Sequence, residues 1–204
     1  MLLKDKDSGE SGILMPLSSL PSKFGVGSLG REGYKFIDFL HSSGQRYWQL
    51  LPLVPLGEGN SPYKSVSCFA GEILYIDLDI LVQNGLLAEN ELPESGVFDK
   101  TNYKTARKIK LPLLRLAAER FNTKSKEYST FAAKNAFWLN DFALFSAITE
   151  GIPNGNILEI PDELKYRFPE AIEKFRITHR EKIRFYKITQ YFFYSQFFSL
   201  RDYA

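Results

Sequence analysis

The sequence is poor in the residues that build covalent or metal-held structure. Its 204 residues contain one cysteine, Cys68, which excludes an intramolecular disulfide and indicates a reducing compartment such as the cytoplasm. The two histidines, His41 and His179, lie far apart, with no second cysteine or histidine near either of them. We therefore expect neither a zinc site nor a histidine-rich metal site, and we predict no metal and no cofactor.

Long hydrophobic runs and an excess of one charge are also missing. The longest stretch without a charged residue covers thirteen positions, 188–200, and includes two glutamines, whereas a membrane-spanning helix needs about 20 apolar residues. The first residues contain no apolar segment typical of a secretory signal. The 26 Lys and Arg against 24 Asp and Glu leave a net charge of +2. This balance predicts no nucleic-acid partner and no membrane partner.

Aromatic residues, by contrast, are plentiful: 17 Phe, 11 Tyr and 2 Trp make up 15% of the chain. Such rings most often build a bulky core. They also form flat apolar platforms for nucleobases or for the apolar faces of sugar rings. The even charge balance argues against nucleobases as ligands and is compatible with sugars.

The first third of the chain alternates short apolar runs with Gly, Pro and Ser. Residues 12–17 and 45–54 are predicted strands, and residues 31–43 between them have the apolar spacing of a helix, with Gly44 at its expected end. A strand, a helix and a second strand form a βαβ unit, so the two strands should pair in parallel. Two parallel strands are too few to form a stable sheet alone.

The remainder of the chain is predicted to be helical. Residues 77–83 form a short helix, and residues 103–121 form a basic amphipathic helix whose lysines and arginines should face solvent. Two longer helices are expected over residues 126–150 and 169–204.

A loop rich in Gly and Pro follows the second predicted strand at residues 57–70 and presents Ser61 and Tyr63. Barrel and doubly wound enzymes bind their ligands in loops at the carboxyl ends of parallel strands. An ordinary turn with a packed tyrosine is the alternative that spacing alone leaves open.

The sequence resembles the 4-alpha-glucanotransferases (amylomaltases, or disproportionating enzymes) of glycoside hydrolase family 77. The resemblance extends over essentially the whole chain, in order, and is most specific in the first seventy residues. The segments that carry it are Ser11-Gly12-Ile13-Leu14, Ser18-Ser19-Leu20-Pro21, Tyr47-Trp48-Gln49-Leu50-Leu51-Pro52-Leu53, Ser61-Pro62-Tyr63, Ile76-Asp77-Leu78, Trp138-Leu139 and Gln190-Tyr191-Phe192-Phe193.

The resemblance implies an α/β fold, namely an incomplete (β/α)8 TIM barrel with a mostly helical insertion. Residues 1–76 would start the barrel and include the substrate loop at 57–70. Residues 77–165 would be the insertion, and residues 166–204 the second barrel helix, so that the chain would end before the third strand. An incomplete barrel would explain why only two parallel strands are predicted.

The activity implied by the resemblance is transfer of a segment of an α-1,4-glucan to the 4-hydroxyl of an acceptor, by a retaining mechanism with two carboxylates. The partners would be α-1,4-glucans, maltooligosaccharides and glucose. The family's catalytic carboxylates would lie beyond Ala204, so no catalytic residue is assigned here. Asp77 and Asp79 are interpreted as a helix cap or a solvated edge.

Three substrate-binding residues follow from the resemblance. Tyr63 matches the family's tyrosine beside the donor sugar, and Ser61 matches a hydroxyl near the bound glucan. Trp48 also matches, although a strand tryptophan is more often a core residue. Among the departures from the family pattern, Glu58 replaces a frequent aromatic, and Glu72 begins the segment where relatives usually carry Asn-Pro.

Two alternatives remain at this point. One is a non-catalytic glucan-binding or regulatory relative that kept the loop, and the other is a helical interaction module built on the aromatic final helix. We also expect the isolated chain to self-associate through that helix and residues 47–54.

Overall fold

A computed structural model describes residues 9–94, 96, 98, 100–152 and 156–204. The structure is mostly helical, with one small sheet. In chain order, the elements are β1 (Gly12–Leu14), α1 (Arg31–Ser42), β2 (Tyr47–Gln49), α2 (Leu78–Gln83), α3 (Tyr103–Arg120), α4 (Lys126–Lys134), α5 (Ala136–Thr149), α6 (Asp162–Lys165), α7 (Pro169–Thr178) and α8 (Arg180–Tyr203).

The sheet consists of β1 and β2 in parallel, with Gly12 opposite Tyr47 and Leu14 opposite Gln49. Helix α1 connects the two strands, so the predicted βαβ unit and its parallel pairing are confirmed. Each strand has three residues, fewer than the predicted runs of 12–17 and 45–54. Pro16 has no N–H to donate to the ladder, and the chain turns into a 3-10 helix directly after it.

Asp77 connects the starts of two helices. Its Oδ1 accepts a hydrogen bond from the N–H of Ile80 at 3.1 Å, which caps α2. Its Oδ2 accepts from the hydroxyl of Ser28 at 2.6 Å, just before α1. A Cβ at Gly30 would lie 2.0 Å from the same Oδ2, so only glycine fits there. The interpretation of Asp77 as a helix cap is confirmed.

The single helix predicted over residues 126–150 is wrong, because the chain breaks at Asn135 into α4 and α5. The Asn135 amide donates to the carbonyl of Phe131 at 2.8 Å and accepts from Trp138 Nε1 at 3.0 Å. Asparagine side chains compete with helical backbone bonds in this way, so the break has a local cause.

The helix predicted over residues 169–204 is also interrupted, at His179, which separates α7 from α8. The His179 ring stacks on Phe175, with 4.0 Å between the ring centroids, and its Nδ1 lies 2.9 Å from the hydroxyl of Thr178. The residues of the proposed second barrel helix therefore form two helices.

Helix α8 lies at the centre of the fold and contacts α1, α3, α4, α5, α7 and the turn at Ile73–Tyr75. Most of its apolar side chains are covered by the described chain itself. One core contains residues from each of the three segments defined above: Leu17, Val26, Leu29, Leu74, Ile76, Leu78, Leu114, Ala117, Phe185, Ile188, Phe192, Phe193 and Leu200.

The expectation that the cations of residues 103–121 face solvent is wrong for Lys110. This residue is 1% exposed, and its Nζ donates to the carbonyls of Leu74 at 2.6 Å and Ile76 at 2.9 Å. Burial lowers the pKa of Lys110 to about 8, and the negative charges of Asp77 and Glu72 oppose that shift. Lys110 therefore holds the turn that precedes α2.

Within the described part of the chain, no helix is long and apolar enough to cross a membrane. The same residues contain no group of three or more His, Cys, Asp or Glu side chains placed to hold a metal ion.

Candidate functional site

The loop at residues 57–70 is closed at its base by Glu72, which is 4% exposed. Its backbone N–H donates to the carbonyl of Leu53 at 2.8 Å. Its carboxylate accepts from the N–H of Leu56 at 2.8 Å and from the N–H of Leu74 at 3.0 Å. One side chain thus joins the segment that enters the loop to the turn that leaves it, at a position where the family pattern has Asn-Pro.

Two buried glutamines of α8 hold the segment that follows the loop. Gln190 accepts from the N–H of Gly71 at 2.7 Å and donates to its carbonyl at 2.9 Å. Gln196 makes the same pair of bonds to Asp77, at 2.7 and 3.0 Å. Sequence reasoning missed both contacts. The available signal was the presence of two amides in an uncharged, largely aromatic helical segment, because a buried amide needs partners.

The backbone of the loop turns sharply at its tip. Gly59 and Asn60 both adopt left-handed conformations, with φ values of 69° and 57°, which Gly and Asn tolerate better than other residues. A Cβ at Gly57 would lie 2.0 Å from the carbonyl oxygen of Lys64. Glycine at 57 therefore allows the two sides of the loop to approach closely.

Ser61 and Tyr63 lie together in the short turn that this geometry produces. The Ser61 hydroxyl oxygen accepts from the N–H of Tyr63 at 3.3 Å and caps the 3-10 helix Pro62–Lys64. Beside them, Lys64 Nζ donates to Glu58 at 2.8 Å, and this hydrogen bond lowers the pKa of the Glu58 carboxyl. The Tyr63 side chain packs against little else, since the residue is 73% exposed.

Trp48 occupies a different environment. Its Nε1 donates to the carbonyl of Met15 at 2.8 Å, and its ring meets Phe36 edge to face, with 4.9 Å between the centroids. The residue is half-buried between β1 and α1. These contacts are typical of a core tryptophan, and a role for Trp48 in substrate binding stays a prediction.

An aromatic cluster that sequence reasoning did not single out adjoins the end of the loop. Phe69 is 49% exposed and Phe137 is 71% exposed. Their rings meet edge to face at 5.3 Å, and Phe69 also stacks on Trp138 at 6.3 Å. Tyr194 of α8 donates to the carbonyl of Phe69 and fixes its backbone. The loop thus ends beside an exposed aromatic surface.

Behind the loop base lies a cavity of about 300 Å³, lined by residues of the loop, α3, α5 and α8 that include Leu56, Val66, Glu72, Arg107, Phe142, Phe145, Glu150 and Tyr186. Burial and the charge of Glu150 raise the pKa of Tyr186 to about 12. Glu150 forms an ion pair with Arg115, and its Oε2 is buried without a hydrogen-bond partner in the described structure. The cavity is thus both aromatic and polar.

The model of a protein family described as 4-alpha-glucanotransferase, glycoside hydrolase family 77, matches residues 15–204. The chain belongs to the 4-alpha-glucanotransferase family. The site residues Trp48, Ser61 and Tyr63 all fall inside the matched region.

Individual relatives agree with this assignment. The chain is 41% identical over 203 residues to a 4-alpha-glucanotransferase of Streptococcus pneumoniae, covering 96% of this chain and 40% of that protein. It is 38% identical to the chloroplastic/amyloplastic 4-alpha-glucanotransferase of Arabidopsis thaliana, covering 95% of this chain and 35% of that protein. The chain therefore spans about 40% of the length of the curated relatives it matches.

The fold is also similar to a solved structure. An amylomaltase from Streptococcus agalactiae, determined in complex with acarbose, superimposes with a TM-score of 0.86 at 35% identity, covering 95% of this chain and 40% of that one.

Proposed function

We propose that this chain supplies the substrate loop of a 4-alpha-glucanotransferase, which transfers part of an α-1,4-glucan to an acceptor glucan or glucose by a retaining mechanism. The observation that carries the proposal is the Ser61-Pro62-Tyr63 turn with its exposed tyrosine, in a loop closed by Glu72, within a chain of this family. The names of the relatives support the activity, and the acarbose bound to the Streptococcus agalactiae amylomaltase supports a sugar ligand.

In the proposed complex, Tyr63 covers the apolar face of a glucose ring and keeps water from the glycosyl-enzyme intermediate. Its exposure of 73% leaves the ring available for stacking. Ser61 uses its oxygen to cap the turn, and its O–H remains a donor for a sugar hydroxyl. Trp48 supports the loop indirectly. Its contacts with Met15 and Phe36 hold β2 against the end of β1 and against α1.

The architecture proposed for the complete protein is a TIM barrel. The parallel pair β1 and β2 with α1 would supply its first two strands and first helix. Residues 77–165 would form a helical insertion, and residues 166–204, divided at His179, the second helical element. The catalytic carboxylates would come from sequence that the relatives carry beyond the matched 40%. We propose the cytoplasm as its location, although the Arabidopsis relative is chloroplastic.

An activity assay on maltotriose tests this proposal. We expect the 204-residue chain alone to release no glucose, because none of its carboxylates matches the family's nucleophile or acid/base. The complete protein should release glucose and form longer maltooligosaccharides. Glucose release by the chain alone would place a catalytic carboxylate within it. A complete protein without transfer activity would instead identify a non-catalytic relative.

The sheet suggests that the isolated chain self-associates. Among the described residues the sheet has two strands, so each strand has an edge without a strand partner, and such edges template association. Leu14 and Tyr47 on these strands are 53% and 57% exposed, and Phe198 of α8 is 40% exposed. Light scattering over a concentration series should show a rising apparent mass. A constant monomer mass at high concentration contradicts this expectation.

A further inference from the structure

A second cavity, of about 370 Å³, lies where α5 faces the junction of α7 and α8. Its lining consists of three cations, one amide and two aliphatic side chains: Arg176, Arg180, Lys187, Asn140, Leu144 and Ile183. The lining contains no carboxylate and shares no residue with the loop at 57–70. The cavity is therefore separate from the site described above.

The spacing of the lining residues explains why they converge. Positions 180, 183 and 187 follow one another at intervals of three and four, so they lie on one side of α8. Positions 140 and 144 lie one turn apart on α5, which packs against α8. Arg176 lies in the last turn of α7, before the break at His179, and α7 contacts α8.

These cations are poorly neutralised by the protein. Within the part of the chain that the structure describes, neither Arg176 nor Lys187 has a carboxylate within ion-pair distance, and Arg180 reaches only its neighbour Glu181, at 3.4 Å. The nearby carboxylate of Asp141 is paired with Arg167 at 2.7 Å. Burial and the charge of Arg176 lower the pKa of Lys187. A bound anion would relieve this repulsion.

Lys187 is fixed in place by its neighbour on α5. Its Nζ donates to the Asn140 side-chain oxygen at 2.6 Å. That bond orients the asparagine amide, whose nitrogen carries two further donors. Leu144 and Ile183 add an apolar surface beside these polar groups. The cavity thus combines cations, an amide donor and an aliphatic wall.

We propose that this cavity binds a small phosphorylated sugar. Guanidinium groups match the geometry of phosphate oxygens, and a lysine adds a compact charge. The aliphatic wall suits the apolar face of a sugar ring, and the Asn140 amide can donate to a hydroxyl. Its volume lies at the low end of the range of small-molecule sites and exceeds what a phosphate alone requires.

Isothermal titration calorimetry on the complete protein tests the proposal with three probes: glucose 6-phosphate, inorganic phosphate and glucose. We expect saturable binding of glucose 6-phosphate and weaker binding of inorganic phosphate at this cavity. Glucose, which is an acceptor at the proposed substrate site, should bind equally to the parent protein and to the cavity variants. Arg176→Gln and Lys187→Gln should each weaken glucose 6-phosphate binding by about tenfold. Lys174→Gln, an equal loss of charge at an exposed position of α7 outside the cavity lining, should change it by less than about twofold.

Several outcomes would overturn the proposal. The site does not exist if neither glucose 6-phosphate nor inorganic phosphate binds saturably. Equal losses in Lys174→Gln and Lys187→Gln would indicate diffuse charge attraction, and equal affinity for phosphate and glucose 6-phosphate would indicate a plain anion site. Thermal unfolding of each variant identifies those that fail to fold. Since binding is measured without turnover, the result does not depend on transferase activity.

Discussion

Replacing Lys110 with alanine should lower the free energy of unfolding by about 3 to 5 kcal/mol. The substitution removes the donor that two buried carbonyls share, those of Leu74 and Ile76. Each buried acceptor left without a partner costs about 1–3 kcal/mol, and the loss of the buried alkyl stem adds a cavity. Urea denaturation followed by tryptophan fluorescence, at one fixed protein concentration, measures the change.

Two further variants separate the loss of the hydrogen bonds from the loss of buried volume and of a positive charge. Lys108→Ala removes a cation at an exposed position of the same helix and should change the free energy of unfolding by less than about 0.5 kcal/mol. Lys110→Met retains most of the buried volume but not the donor, so it should recover only part of the loss. If Lys110→Met is as stable as the parent protein, the two carbonyls do not depend on Lys110.

The same lysine should make stability depend on pH. Its folded-state pKa of about 8 lies below the ordinary value of 10.5. Between these values the unfolded chain binds more protons than the folded one, so stability rises as pH increases through this window. From pH 7 to 9.5, the parent protein should gain about 2 kcal/mol relative to Lys110→Met. Parallel profiles for the two proteins would contradict a depressed pKa at Lys110.

Tyr63→Ala in the complete protein should reduce transfer about tenfold and raise the share of hydrolysis. An aromatic ring stacked on a sugar is worth about 1 kcal/mol or somewhat more, and about 1.4 kcal/mol corresponds to a tenfold change in rate. Removing the ring also admits water to the glycosyl-enzyme intermediate. The measurement is the ratio of longer maltooligosaccharides to reducing ends formed from maltotriose.

Tyr63→Phe, which keeps the ring, should retain most of the transfer activity. Tyr166→Ala removes an exposed tyrosine outside the loop, 67% exposed against 73% for Tyr63, and should leave both rate and product ratio unchanged. The role assigned to Tyr63 fails if Tyr63→Ala behaves like Tyr166→Ala.

The features that could be predicted from the sequence are those with a local cause and those fixed by the order of the elements. Gly44 ends α1 with a φ of 69°, and the cap at Asp77 involves an N–H three residues away. The alternation of strand, helix and strand also predicted the parallel pairing of β1 with β2, although the two strands lie on either side of α1 in the chain.

The features that were missed depend on partners far away in the chain. Lys110 bonds to carbonyls 36 and 34 residues away, and Gln190 bonds to Gly71 across 119 residues. The pattern of side chains in the sequence does not show which backbone carbonyl or N–H group a distant side chain will bind. The exposure of Tyr63 and the half-burial of Trp48 likewise follow from tertiary packing, and for Trp48 the position in a strand had already indicated a core residue.

Glu72 has a consequence for how this protein can evolve. Because one buried carboxylate bonds to Leu56 and Leu74 on either side of the loop, the exposed side chains of the loop can be exchanged without loosening the core. Selection can then alter the surface that meets a ligand while the scaffold keeps its stability. Glu58, where the family often has an aromatic residue, is one such exchange. Divergence in ligand preference is expected to collect at the exposed positions within residues 57–70, whereas Gly57, which has no room for a Cβ, resists change.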